Sequence, residues 1–385
     1  MKYNFDEVIS RDNTDSIKWD LVTEVNGKKS LPYWIADIDF KAPVEVIEAL
    51  KNRVEHGIFG YTAYSPTIIP TIKNWINKRH GWSLEDEWIC YTPGIVSAIL
   101  YAIECFTNVG DSIIVQSPIY PPFLQVPRDS GRKVIESNMI LNNGKYEIDF
   151  ADFEEKSKDA KLFLLSNPHN PSGRVFTKEE LEKLGNICVK NNVLIIADEI
   201  HSDIIFKGYS HTPIASISED IKNITITCYS VSKTFSLAGL AASVIVIPNK
   251  EIRDKFKEYL EIRHISVNLL GKVALEAAYE YGEDYMNQLT EYLESNRDFL
   301  VDFMSKYTKK IKPVKSEGTY LVWLDCTELN LTDEELNRFF EAAGVKLNQG
   351  HTFSNAGKGF MRFNIGCPRE TLEEGLERIK NAYNF

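Results

Sequence analysis

The segment from Ser230 to Gly239 (Ser-Val-Ser-Lys-Thr-Phe-Ser-Leu-Ala-Gly) sets Lys233 among small and hydroxyl-bearing residues, with no acid within five positions of it. A lysine desolvated in such surroundings has a lowered pKa and becomes a nucleophile or an imine former. Asp198 stands directly after the apolar run Val193 to Ala197. A carboxylate there either caps the next element or faces a cation. Asn170 lies in Asn-Pro-His-Asn-Pro-Ser-Gly-Arg (167–174), and Tyr120 in Ser-Pro-Ile-Tyr-Pro-Pro (117–122). Each has a bland reading alone: a surface lysine, a helix cap, a turn, a core aromatic. Together they have a joint use. A pyridinium cofactor held as a lysine imine needs an acid at its ring nitrogen, a donor at its ring oxygen, an aromatic on its face and neutral donors at its phosphate. Asp198, Asn170, Tyr120 and the pair Ser230/Ser232 meet those needs in turn. Thr92 to Ala98 adds a second phosphate seat, because Gly94 permits close backbone approach and the apolar run after it reads as a helix start with free N–H groups.

The elements that must position these groups are short β-branched runs at 112–116, 162–166, 193–197, 224–228 and 243–247. They are near-continuously apolar, as strands buried on both faces are. Between two of them Thr177 to Asn191 reads as an amphipathic helix, with Thr177 as N-cap and Glu180 three residues on. Strand and helix in alternation predict an α/β fold with a mostly parallel sheet. In such sheets ligands bind outside the carboxyl ends of the strands, where four of these runs deliver the candidate residues. From Ile252 to Leu300 the pattern is helical and charge-rich, one helix or two. A smaller α+β unit follows, with strands at 319–325 and 359–365 and helices at 333–343 and from Pro368 onward.

Composition narrows the classes. The 385 residues include 44 Lys+Arg against 55 Asp+Glu, a formal charge of −11. That disfavours the basic face that nucleic acid and anionic membranes require. No uncharged apolar run approaches the roughly 18 residues of a membrane helix, and the N-terminus is acidic where a signal peptide is apolar. The chain reads as cytoplasmic. Six cysteines without a C-x-x-C pair, and seven histidines without H-E-x-x-H, point to reduced thiols and no built-in metal.

The motifs at 167–174, 198–203 (Asp-Glu-Ile-His-Ser-Asp) and 230–240 occur in the order that resembles the fold type I pyridoxal 5′-phosphate enzymes of the class I/II aminotransferase group. Within it the chain is similar to the MalY/PatB-type cystathionine β-lyase (cysteine-S-conjugate β-lyase) branch, by Trp34 to Phe40, Phe59-Gly-Tyr61-Thr and Arg362 to Arg369. The resemblance covers essentially the whole chain. It implies a large domain (46–285) holding a seven-stranded, mostly parallel sheet, and a small α+β domain built from both chain ends (1–45 and 286–385). It implies that Lys233 carries pyridoxal 5′-phosphate and moves the Cα proton, with Tyr120 stacked on the ring beside it. Asp198 would face the ring nitrogen, Asn170 the ring oxygen, and the Ile95 and Val96 backbone N–H groups, with Ser230 and Ser232, the phosphate. Tyr61 would reach the phosphate of the neighbouring subunit of a homodimer. Arg362 would clamp the substrate α-carboxylate beside Asn170, with Ala36 on the segment that closes over it. The implied reaction is β-elimination of a thiol from L-cystathionine or a related L-cysteine conjugate; amino transfer, and a regulatory role without main catalytic work, are the alternatives.

Two positions depart from the wider group. His201 stands where a tyrosine is usual, and reads either as a cofactor contact or as a core histidine. Ala241 stands where an arginine is usual, so the phosphate lacks one cation. A serine acyl-transfer reading of Ser230-x-x-Lys233 fails, because Phe rather than Gly follows Lys233-Thr234 and no S-D-N occurs.

Overall fold

The structure is a computed structural model and describes residues 3–25 and 27–383. Seven strands form the larger sheet: β1 (Ile89–Thr92), β2 (Ser112–Ser117), β3 (Lys133–Asn138), β4 (Leu162–Ser166), β5 (Leu194–Asp198), β6 (Thr225–Tyr229) and β7 (Ser243–Val246), in the spatial order β1-β7-β6-β5-β4-β2-β3. Only β7 runs against the others. The sheet is therefore mixed but mostly parallel, and two of its strands, β1 and β3, carry no run the sequence singled out.

The central strands obey period two, and both faces are apolar. In β4, Leu162 and Leu164 pack on one side with Ile196 of β5 and with Ala98, Ile99 and Ala102 of helix α1 (Ile95–Phe106). Their neighbours Phe163 and Leu165 pack on the other side with Ile195, Ala197 and with Leu181, Leu184 and Cys188 of helix α2 (Lys178–Asn191). Alternation across the pleat puts successive side chains on opposite faces, so a strand between two helix layers must be apolar throughout. Each such side chain contributes about 1.5–3 kcal/mol on burial. Helix α2 starts as its sequence predicts, with a capping box between Thr177 and Glu180.

Beyond the sheet the 252–300 region holds three helices, not one or two: Lys250–Ile262, Leu269–Tyr281 and Glu283–Tyr307. Asn268 caps the second through Gly271 N, a local signal that helical periodicity alone does not reveal. The smaller unit has a four-stranded antiparallel sheet, centred on β8 (Leu321–Asp325) and β9 (Phe360–Asn364). Leu31–Pro32 pairs in parallel with Val345–Lys346, so both ends of the chain build this unit. Among the described residues no helix is long and apolar enough to cross a membrane. All six cysteines are buried and free.

A buried ion cluster ties the Asn-Pro-His-Asn-Pro-Ser-Gly-Arg loop to the smaller unit. Arg174 donates from Nε to Glu317 at 3.0 Å and from Nη2 to Glu180 at 2.7 Å, while Glu317 also accepts from Val175 N at 2.9 Å. Arg174 and Glu317 are both fully buried. Removing one partner of such a pair strands the other charge. Glu317→Ala is expected to cost about 3–5 kcal/mol in urea unfolding, whereas Arg338→Ala, which breaks an exposed pair with Glu334, leaves the midpoint unchanged.

Candidate active site

The carboxyl ends of β2, β4, β5 and β6 and the start of α1 open onto one cavity of about 290 Å³. Lys233, Asp198, Asn170, Tyr120 and His201 line it. So do Ile95, Val96, Ser230, Ser232 and Ala36. Two expected residues stand elsewhere. Arg362 lies behind Asn170 on β9, and Tyr61 sits fully exposed on the loop between helices Val44–Glu55 and Ile68–His80, away from this chain's own cavity.

Each polar group is held by its strand end. Asp198 is the last residue of β5, paired in register with Cys228 and Ser166, one position further along the ladder than the sequence reading placed the strand end. Its Oδ1 accepts from Ile200 N at 3.1 Å. Burial pushes the Asp198 carboxyl up to about 7, against the pull of that N–H and of Lys233. Lys233 follows β6 on a turn stapled by Ser230, whose Oγ donates to Ala242 O at 2.8 Å and accepts from Ser232 N at 3.2 Å. Its Nζ donates to Ala36 O at 2.7 Å. Burial lowers the Lys233 pKa, and the Arg362 guanidinium lowers it further. His201 is driven down to about 3 by burial, and then by Lys233 and Arg362, so it stays neutral at working pH. Its Nδ1 is buried without a partner.

The anion end is made of neutral donors. Gly94 (φ 145°) turns the chain into α1, whose first N–H groups at Ile95, Val96 and Ser97 have no carbonyl a turn earlier to bond. The Ser230 and Ser232 hydroxyls line the same cavity, 2.8 Å apart. Ala241 borders it in a left-handed conformation (φ 48°).

Arg362 reaches across from the smaller unit. It donates from Nη1 to Asn170 Oδ1 at 3.0 Å and from Nη2 to Trp34 O at 2.8 Å, and its buried Nε has no partner. Burial lowers it to about 10, which leaves it charged. A buried guanidinium with a spare donor is suited to a carboxylate. The sequence reading missed two contributors. Tyr320, directly before β8, was read only as part of a strand, yet its hydroxyl donates to Ala36 O at 3.0 Å. Ile200 was passed over because an apolar residue after Asp-Glu carries no chemical signal, although it supplies the Asp198 hydrogen bond and a cavity wall.

The chemistry of this donor set is that of a site for an aromatic cation with an anionic tail: a buried carboxylate, an amine, a helix N-terminus with hydroxyls, and a cationic clamp beyond. Comparisons with known proteins agree. Residues 36–379 match the family described as aminotransferase class I and II. The cystathionine β-lyase PatB of Bacillus subtilis is 42% identical over 98% of this chain and 99% of its own. Cystalysin from Treponema denticola, whose structure contains a pyridoxal 5′-phosphate cofactor, superposes with a TM-score of 0.96 at 35% identity, over 100% of this chain and 99% of its own. The pyridoxal-phosphate-bound C-S lyase of Staphylococcus hominis superposes at 0.92 and 34% identity, over 99% and 98%.

The raised Asp198 pKa has a stability consequence in cofactor-free protein. An unfolded Asp loses its proton near pH 3.9, whereas folded Asp198 keeps its proton up to about pH 7. This stabilisation is complete below the unfolded value and is lost as pH rises through the folded one. Relative to Asp198→Asn, the parent's urea midpoint is expected to fall between about pH 4 and pH 7 and to level off above that; a pH-independent difference would refute it. His201 is common to both proteins and cancels.

Proposed function

The chain belongs to the aminotransferase class I and II family, and from that premise we propose that it is a pyridoxal 5′-phosphate-dependent carbon–sulfur β-lyase that cleaves L-cystathionine or related L-cysteine S-conjugates to a thiol, pyruvate and ammonia. The observation that carries this is the meeting of Lys233, Asp198 and Asn170 at one cavity, with Arg362 bonded to Asn170 from behind, in a chain whose relatives carry the names of cystathionine β-lyase and C-S lyase.

The residues fit the cofactor. A buried Asp198 carboxylate without a counter-charge is costly, and one facing a protonated ring nitrogen is not, so Asp198 keeps that nitrogen protonated. Asn170 would bond the ring oxygen, and His201 and Tyr120, which line the same cavity, would contact the ring. The Ile95 and Val96 N–H groups and the Ser230 and Ser232 hydroxyls hold the phosphate. With Ala241 where a cation is usual, Tyr61 of a neighbouring subunit completes that seat, which makes the working form a homodimer. Its exposure on a loop beside the exposed Ile58 and Phe59 supports this. Six free, buried cysteines suit the reducing cytoplasm.

When bound, pyridoxal 5′-phosphate supplies an electron sink for the substrate Cα. Arg362 binds the α-carboxylate and Ala36 borders the amino acid. Lys233, whose pKa burial lowers, would be the group that takes the Cα proton. Thiolate then leaves from Cβ, and the remaining three-carbon unit hydrolyses to pyruvate and ammonia.

Purified, cofactor-loaded protein is expected to release thiol and pyruvate in equal amounts from L-cystathionine, with no amino transfer to a 2-oxo acid. Amino transfer without thiol, or silence in both assays, would overturn the lyase reading. Lys233→Ala is expected to abolish thiol release. Arg362→Lys, which loses the planar fork, is expected to raise KM by about 10- to 100-fold. Tyr61→Phe is expected to weaken cofactor retention while leaving the sedimenting dimer intact.

A further inference from the structure

The segment Trp34–Asp37 forms a strap that borders the cavity at Ala36, and side chains from elsewhere cap each of its carbonyls. Arg362 donates to Trp34 O at 2.8 Å, and Asn364 Nδ2 donates to both Ile35 O and Asp37 O at 2.6 Å. Lys18 Nζ adds a bond to Asp37 O at 3.1 Å. Ala36 O, between them, takes two donors: Lys233 Nζ at 2.7 Å and the Tyr320 hydroxyl at 3.0 Å. A carbonyl has two lone pairs, and here both are directed.

Tyr320 is delivered to this point at a cost. The residue before it, Thr319, is β-branched yet adopts φ 67°, a left-handed conformation that such residues avoid. Its own Oγ1 accepts from Leu321 N at 3.1 Å, and its N donates to Ile204 O at 2.8 Å. Strain of this kind, of order 1–3 kcal/mol, persists where surrounding structure requires it. Tyr320 is wholly buried and lies edge-on to His201, with ring centroids 5.7 Å apart. A phenylalanine would fill the same volume, so packing alone does not account for the hydroxyl.

We propose that Tyr320 is a positioning residue for proton transfer: it fixes the Ala36 carbonyl so that this carbonyl orients the Lys233 amine toward the substrate Cα. The inference rests on the reading of Lys233 as the proton-transfer group. A free amine bonded through one N–H to a fixed acceptor has its lone pair aimed. Without the phenol, Lys233 Nζ is the remaining donor to Ala36 O, and the direction of that carbonyl is less constrained. The proton is passed from substrate Cα to Lys233 Nζ and onward to solvent, and Tyr320 neither gains nor loses one.

The test is Tyr320→Phe with two readouts. In cofactor-free protein, hydrogen exchange of a peptide spanning 33–40 should accelerate several-fold, reporting a loosened strap. In cofactor-loaded protein, exchange of the L-alanine α-proton for solvent deuterium, followed by proton NMR, should slow by about tenfold, with L-alanine affinity and cofactor absorbance unchanged within about twofold. L-Alanine has no leaving group at Cβ, so this exchange requires Lys233 but not β-elimination. Unchanged α-proton exchange, or unchanged strap exchange, would overturn the proposal. Slowed exchange together with loss of bound cofactor would overturn it too, by making Tyr320 a residue that holds the cofactor. Normal L-alanine exchange in the parent without thiol release from cysteine conjugates would sink the lyase reading and leave this one standing.

Discussion

An amine and a carboxylate lining one cavity, with a buried guanidinium directly behind its Asn170 wall, form the constraint on which the rest of the molecule depends. Any one of them, buried alone, would neutralise or draw in water. Here Asp198 is pushed up, Lys233 down and Arg362 down, burial being the first cause in each case. The cost is tolerable because backbone groups already hold each charge: Ile200 N on Asp198, Ala36 O on Lys233 and Trp34 O on Arg362. The protein arranges its backbone dipoles before a ligand arrives, which is the condition for electrostatic catalysis.

That arrangement explains the architecture. A mostly parallel sheet brings several carboxyl ends to one edge, and each end delivers one group: Tyr120 after β2, Asn170 after β4, Asp198 on β5 and Lys233 after β6. The helix α1 start adds donors without adding charge. The smaller unit contributes what the sheet cannot, a cation on the far side. Because Arg362 bonds both Asn170 and Trp34 O, Arg362, Asn170 and the 34–37 segment form one hydrogen-bonded unit. The buried Arg174–Glu317 pair fixes the same loop to the same unit from behind.

The strap itself depends on the N-terminal segment. Lys18, almost wholly buried, bonds Asp39 at 2.7 Å, and Arg11 reaches Asp37 and Asp39 at 3.0 and 2.8 Å. Trp19 donates its indole N–H to Asp39 at 2.8 Å. These contacts give a role to the Lys18-Trp19-Asp20 stretch, which lies far from any catalytic motif in the sequence. Lys18 bonds the Asp37 carbonyl and, with Trp19, the Asp39 carboxylate, which anchors the segment next to Ala36.

What the sequence determined by itself was local. Continuous apolar runs fixed the buried strands, because a strand between two helix layers has no polar face; the Thr177/Glu180 pair fixed a helix start, formed as a capping box. Residue type and spacing also singled out Lys233, Asp198, Asn170, Tyr120, Ser230 and Ser232, which the fold brings to one cavity. Tertiary structure decided the rest. The register of β5 made Asp198 part of the ladder, the three-helix division of 250–307 followed from caps rather than periodicity, and β1 and β3 emerged only as partners of neighbouring strands. Most of all, the pairing of Ala36 O with Lys233 and Tyr320 joins positions 197 and 284 residues apart. A backbone carbonyl has no sequence signature, and no local pattern can announce which distant donors will meet it.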